Sequence, residues 1–152
     1  MSLTGDDDRA VPIEILLVED DPGDVLITRE AFADHKVRNR ITVCTDGTDA
    51  LRFLHRRPPY ADAVRPDIIL LDLNLPGIDG RDVLEAIHAD PSLNRIPVVI
   101  LTSSNAEEDF LRSIELRVDT YIRKPVDFAS LVHVVRRIEA FYISVERTVT
   151  SM

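Results

Sequence analysis

Four short clusters in the 152-residue chain carry side chains whose types could do chemistry together. Glu19-Asp20-Asp21 follows one apolar run and Asp72 follows a second. Thr102-Ser103-Ser104 follows a third, and Arg123-Lys124 stands directly before Pro125. Carboxylates meeting on one rim repel each other and raise their own pKa values unless a cation compensates. The donors are hard oxygens, with no His or Cys in the pattern, which suits Mg²⁺ or Mn²⁺ rather than Zn²⁺. Mg²⁺ seldom receives a full protein cage, so it would keep waters and accept a phosphate oxygen. Lys124 and Thr102 at the same rim could bind the remaining phosphate oxygens. Asp72 is then a carboxylate that could attack phosphorus and become an acyl phosphate.

For these clusters to meet, the chain must bring the ends of separate segments to one edge. Ile13–Val18, Asp67–Leu71 and Pro97–Leu101 are short, rich in β-branched residues and Leu, and nearly continuous, as strands buried on both faces read. Ile41–Cys44 and Thr120–Ile122 are weaker strand candidates. Helical stretches lie between them. Asp21-Pro22 opens one that runs to about His35, with Pro at the first helical position. Ala50, Leu51 and Leu54 share a face, as do Val83, Leu84 and Ile87 in a helix started near Asp79. Asn105 can cap a helix carrying Phe110, Leu111 and Ile114, and Asp127 a longer one carrying Phe128, Leu131, Val132, Val135, Ile138 and Tyr142. Strand and helix alternate five times, which predicts an α/β fold: a doubly wound, five-stranded parallel sheet with helices on both faces. In such sheets ligands bind outside the carboxyl ends of the strands, where the four clusters fall.

Composition narrows the function. Lys plus Arg is 18 and Asp plus Glu is 27, a net charge of −9, which argues against a nucleic-acid partner and against docking on an anionic membrane. No apolar run is long enough to span a bilayer, and the single Cys44 fits a reducing cytoplasm. Residues 1–11 read as a disordered lead-in, 12–142 as one domain and 143–152 as an extension of the last helix. Asp occurs twice as often as Glu, and Lys only at Lys36 and Lys124 among many Arg, so a compact ammonium at 124 stands out.

The set Val18-Glu19-Asp20-Asp21, Leu71-Asp72-Leu73-Asn74-Leu75-Pro76-Gly77-Ile78-Asp79-Gly80, Leu101-Thr102-Ser103 and Tyr121-Ile122-Arg123-Lys124-Pro125 resembles the receiver domain of two-component response regulators, in order over about residues 12–142. The resemblance implies the flavodoxin-like strand order 2-1-3-4-5. It implies Asp72 as phosphoacceptor, Asp20 as direct metal ligand, Glu19 as a ligand mostly through water, and the backbone carbonyl of Asn74 as the last protein ligand. It further implies Lys124 paired with Asp72 or its phosphoryl group, a cis Lys124–Pro125 bond, Thr102 bonded to the phosphoryl oxygen, and Tyr121 as an aromatic rotamer switch. The partners implied are a sensor histidine kinase or phosphotransfer protein and a downstream protein target. The tail through Ile143 most resembles stand-alone receivers that partner bacterial phytochrome kinases, which suggests a homodimer through this end. Arg117-Val118 departs from the Gly-Ala usual after the fourth helix. Asn74 and Ser104 are expected to flank the path of attacking water.

Plainer roles compete for several of these residues. Asp21, Asp46, Asp79 and Asp127 read as helix caps or turn residues. Thr102 could merely end a strand, Tyr121 could be packing, Cys44 reads as a small core residue and the four His as surface residues. Two rival functions remain. A Mg²⁺-dependent phosphatase with an Asp nucleophile would carry a second Asp two residues on as general acid, where this chain has Asn74. A pseudo-receiver would bind partners without phosphorylation, and the acid pair with Asp72, Thr102 and Lys124 argues against it. The expectation is therefore a switch, not an enzyme.

Overall fold

The computed structural model describes residues 12–34, 38–114, 118–124, 126, 129–131, 133, 136 and 137. Five strands form one parallel sheet: β1 (Ile13–Val18), β2 (Asn39–Cys44), β3 (Ile68–Asp72), β4 (Val98–Thr102) and β5 (Thr120–Arg123), in the order β2-β1-β3-β4-β5. Four helices connect them: α1 (Pro22–Asp34), α2 (Gly47–Leu54), α3 (Gly80–Ala89) and α4 (Asn105–Ser113). Residues 129–131, 133, 136 and 137 are also helical. The doubly wound order expected from the sequence is the one observed.

The strands read as continuous apolar runs because each side is buried. Leu16, Val18, Ile69, Leu71, Val98 and Ile100 pack on one face with Ala50, Leu54, Val83, Leu84, Ile87 and Leu111 from α2, α3 and α4. Ile15, Leu17, Ile68, Leu70, Val99 and Leu101 pack on the other with Ala31 and Phe32 of α1 and with Leu131. Successive residues alternate between two dry layers, so the period of two leaves no polar trace in the sequence. Full burial of each such Leu or Ile contributes roughly 1.5–3 kcal/mol.

The helix starts follow local chemistry. Asp46 caps α2, its carboxylate accepting the Asp49 N–H at 2.7 Å, so that helix begins at Gly47, ahead of the Asp49 expected from periodicity. Asp79 caps α3 by accepting the Arg81 N–H at 2.9 Å. Asp21 accepts the Gly23 N–H at 2.8 Å ahead of α1, the cap-like role expected of it. Ser104, not Asn105, caps α4: its hydroxyl accepts the Glu107 N–H at 3.1 Å. The apolar stripe expected on α4 narrows to Leu111, because Phe110 and Ile114 remain 44% and 41% exposed. Arg81 covers the Phe110 ring instead, its guanidinium 4.8 Å from the centroid.

Two glycines fix the turn after β3. Gly77 has φ of +74°, in the region favouring glycine. At Gly80 an added Cβ would lie 2.7 Å from the Asp72 carbonyl oxygen and 2.7 Å from Leu73 Cα, so only glycine lets α3 start this close to the strand end. The expected caps and contacts of Asp127 and Phe128, the Arg117 turn and the Lys124–Pro125 bond lie outside the described residues, as do residues 1–11 and 138–152.

Candidate functional site

Parallel register brings the four clusters together. Val18 pairs with Leu71, so Glu19 follows β1 level with Asp72, the last residue of β3. Asp72 pairs with Leu101, which sets Thr102 one step beyond it, and Thr102 pairs with Arg123, which sets Lys124 one step further. The Lys124 N–H donates to the Thr102 carbonyl at 2.7 Å, continuing the ladder past the last strand residue.

Lys124 is the hub of the pocket. Its ammonium lies 2.8 Å from Glu19 Oε1, 3.0 Å from Asp24 Oδ2 and 2.9 Å from Asp72 Oδ2. Glu19, Asp72 and Thr102 are buried, while Asp20 is exposed. Carboxylate oxygens of Glu19, Asp20 and Asp72 lie within 4.8 Å of one another, close enough to share one ion. The second Asp72 oxygen, Oδ1, accepts the Asn74 N–H at 2.9 Å, and Glu19 Oε2 accepts the Asp21 N–H at 3.2 Å. Asn74 thus follows Asp72 in a tight turn.

Electrostatics follow from burial. Desolvation pushes the Glu19 carboxyl up to about 7. The Lys124 ammonium works against that rise, and the neighbouring Asp72 adds to it. Burial also disfavours the charge on Lys124, but its contacts with Glu19, Asp72 and Asp24 outweigh burial and hold the ammonium above its ordinary value. Lys124 stands 2.8 Å from Glu19 Oε1 and is the ion-pair partner of that buried oxygen. Glu19, Asp20 and Asp72 gathered beside one ammonium still leave surplus negative charge, which an additional cation would offset.

The hydroxyl of Thr102 faces α4. It donates to Glu107 Oε1 at 2.5 Å, with the Ser104 carbonyl 3.1 Å away, and accepts the Ser104 N–H at 3.2 Å. Tyr121 is half-buried, and the Arg112 guanidinium sits 4.7 Å from its ring centroid. The side-chain amide of Asn74 donates to Ser103 Oγ at 3.4 Å, so Ser103 rather than Ser104 faces it; the Ser104 hydroxyl is occupied as the cap of α4.

The structure therefore brings Glu19, Asp20, Asp72 and Lys124 together as the sequence suggested, with Thr102 at the same edge. It adds two residues that sequence reasoning passed over. Asp24 reads in sequence only as an acidic residue in a first helical turn, which the helix dipole explains without any site. Glu107 stands three residues after Ser104, the S-x-x-E spacing of a capping box, and that signal could have marked it.

A parallel sheet with this strand order, gathering an acidic pair, an aspartate, a hydroxyl and a lysine at its carboxyl edge, defines the receiver class of signalling domains. The response regulator receiver domain matches residues 15–136, and the chain belongs to that family. Among curated relatives it is 40% identical over 137 residues to response regulator Rcp1 of Synechocystis sp., spanning 90% of this chain and 93% of that one. The Mn²⁺-bound structure of Rcp1 is similar at a TM-score of 0.73 and 41% identity, over 86% of this chain and 94% of that one. The bacteriophytochrome response regulator RtBRR is similar at 0.78 and 39% identity, over 84% and 78% of the two chains. The phosphorylated cyanobacterial phytochrome response regulator RcpA is similar at 0.74 and 43%, over 89% and 96%. Among the described residues no helix is long and apolar enough to cross a membrane.

Proposed function

We infer that the chain is a switch controlled by phosphorylation of Asp72. The observation carrying this reading is the ammonium of Lys124 held 2.9 Å from Asp72 Oδ2 beside a buried acidic partner, Glu19. One oxygen of Asp72 is committed to Lys124 and the other to the Asn74 N–H, so the carboxylate is fixed in orientation before any donor arrives.

The hard-oxygen set fits Mg²⁺ or Mn²⁺, held by Glu19, Asp20, Asp72 and the Asn74 backbone carbonyl, with Glu19 acting mostly through water. When bound, such an ion supplies positive charge against the phosphoryl oxygens. The three carboxylates with ligand oxygens within 4.8 Å of one another support that fit.

A phosphohistidine on a sensor histidine kinase or phosphotransfer protein is the donor. An oxygen of Asp72 attacks phosphorus in line, the P–N bond to the donor imidazole breaks, and the imidazole leaves with that electron pair and takes up a proton. Lys124 stays beside the new acyl phosphate as a point charge. The phosphoryl group brings about −2 where the carboxylate had −1, and Thr102 donates its hydroxyl to a phosphoryl oxygen. Moving Thr102 leaves space for Tyr121 to turn inward, which reshapes the face of α4 and β5 for a downstream protein target. A difference of about 1–3 kcal/mol in target affinity between the two states is enough for regulation. The likeness to RtBRR and RcpA supports a kinase of the phytochrome type.

The test is incubation with Mg²⁺ and a small acyl-phosphate donor, followed by intact mass. A gain of one phosphoryl group, absent in Asp72→Asn, is expected. No gain in the wild-type chain would favour a pseudo-receiver, and steady turnover of a phosphate ester would favour a phosphatase.

A further inference from the structure

Thr102 is part of the N-terminal cap of α4. Ser104 is the cap residue and Glu107 the third helical position, where a glutamate ordinarily turns back to accept the cap residue's own N–H. Here that N–H donates to Thr102 Oγ1 at 3.2 Å, and the Thr102 hydroxyl donates in turn to Glu107 Oε1 at 2.5 Å. The hydroxyl is inserted between the two groups that would otherwise close on each other. Thr102 is 1% exposed, so water does not replace Glu107 as its acceptor.

A hydroxyl has one proton to donate. While Glu107 holds it, a phosphoryl oxygen on Asp72 cannot. The Ser104 carbonyl at 3.1 Å is the other acceptor in reach, but a charged acceptor at 2.5 Å is the stronger partner.

We propose that Glu107 is a positioning residue for the phosphoacceptor site, a carboxylate that competes with phosphorylated Asp72 for the Thr102 proton and so holds the switch in its unphosphorylated arrangement. The proposal rests on the phosphoacceptor reading above. Once Thr102 turns away, the Ser104 N–H and the Glu107 carboxylate stand at capping-box spacing and close directly, so α4 keeps its cap in both states. Glu107 also lines a cavity of about 310 Å³ with Asn74, Arg81 and Phe110, which leaves its carboxylate room to move. The cap bond gained is half-exposed and the bond lost is to a buried hydroxyl, so Glu107 on balance favours the unphosphorylated arrangement.

The experiment is a calorimetric titration of the full chain with beryllium fluoride in Mg²⁺, with the thermal midpoint as a second readout. The variants are Glu107→Ala, Glu107→Gln, Thr102→Ala and the Thr102→Ala/Glu107→Ala pair. Glu107→Ala should bind about fivefold tighter than wild type, the scale of one competing hydrogen bond. Glu107→Gln, whose amide oxygen still accepts the proton, should fall between them. In the Thr102→Ala background, Glu107→Ala should change nothing, whereas a purely capping role would shift both backgrounds alike. Equal shifts in the two backgrounds, or no tightening by Glu107→Ala, overturns the proposal. Failure of the wild-type chain to bind beryllium fluoride overturns the phosphoacceptor reading beneath it.

Discussion

Replacing Lys124 by Met keeps the length of the side chain and removes its charge, which isolates what the ammonium does for the pocket. Three carboxylates lose a cation at 2.8–3.0 Å. The side chains are 17% exposed at Lys124, 0% at Glu19, 3% at Asp72 and 19% at Asp24, so solvent screening is weak. Breaking a buried ion pair by removing one partner costs about 3–5 kcal/mol, and relief of the burial of Lys124 itself offsets part of that. A destabilisation of about 3 kcal/mol is therefore expected at pH 8 in EDTA, a fall of about 6–12 °C in thermal midpoint for a domain of this size.

The pH dependence gives the sharper test. Glu19 is raised in the folded state to about 7 from an ordinary 4.5, so between those values the folded chain binds more protons than the unfolded one. The stability associated with protonated Glu19 is fully present below 4.5 and is lost as pH rises through 7. Without Lys124 the carboxyl rises further. The gap between wild type and Lys124→Met should thus be narrower at pH 5, where Glu19 is neutral and only the Asp72 and Asp24 contacts are lost, than at pH 8. Urea unfolding in EDTA at both values measures it. An equal gap at the two pH values, or a variant more stable than wild type at pH 8, would refute the reasoning.

Two further outcomes follow from the same geometry. Mg²⁺ should raise the thermal midpoint of the wild-type chain more at pH 8 than at pH 5, because protons compete for Glu19; a midpoint insensitive to Mg²⁺ at both values contradicts the carboxylate cluster as a shared site. Gly80→Ala should destabilise the fold by about 1–3 kcal/mol in urea, since its Cβ would meet the Asp72 carbonyl oxygen and Leu73 Cα at 2.7 Å, and an unchanged midpoint would show that the turn yields freely.

Much of the site was legible because its residues end apolar runs. A strand buried on both faces shows itself as an unbroken stretch of β-branched residues and Leu, and the polar residue that follows is then at the sheet edge by necessity. Glu19, Asp72, Thr102 and Lys124 were found in that way, and Asp46 and Asp79 declared their helix starts through side chains that satisfy free N–H groups. The cap of α4 was misplaced by one residue because Ser104 and Asn105 are both good caps, and only the direction of the chain leaving β4 chooses between them. Phe110 and Ile114 looked like core for the reason Leu111 is core: periodicity gives a face, and not how wide a strip of that face the sheet covers.

The order of apolar runs and polar ends in the sequence alone determined a parallel α/β sheet with an acidic edge, because burial of both faces and the handedness of crossovers leave few other arrangements. Tertiary structure alone decided which of the acids share Lys124. Asp24 joins Glu19 and Asp72 because α1 carries it back over the end of β1, and Thr102 points to Glu107 because α4 begins at Asn105, three residues beyond Thr102. The Lys124 pairings depend on angstrom-scale distances between segments far apart in the chain, and one-dimensional spacing does not encode them.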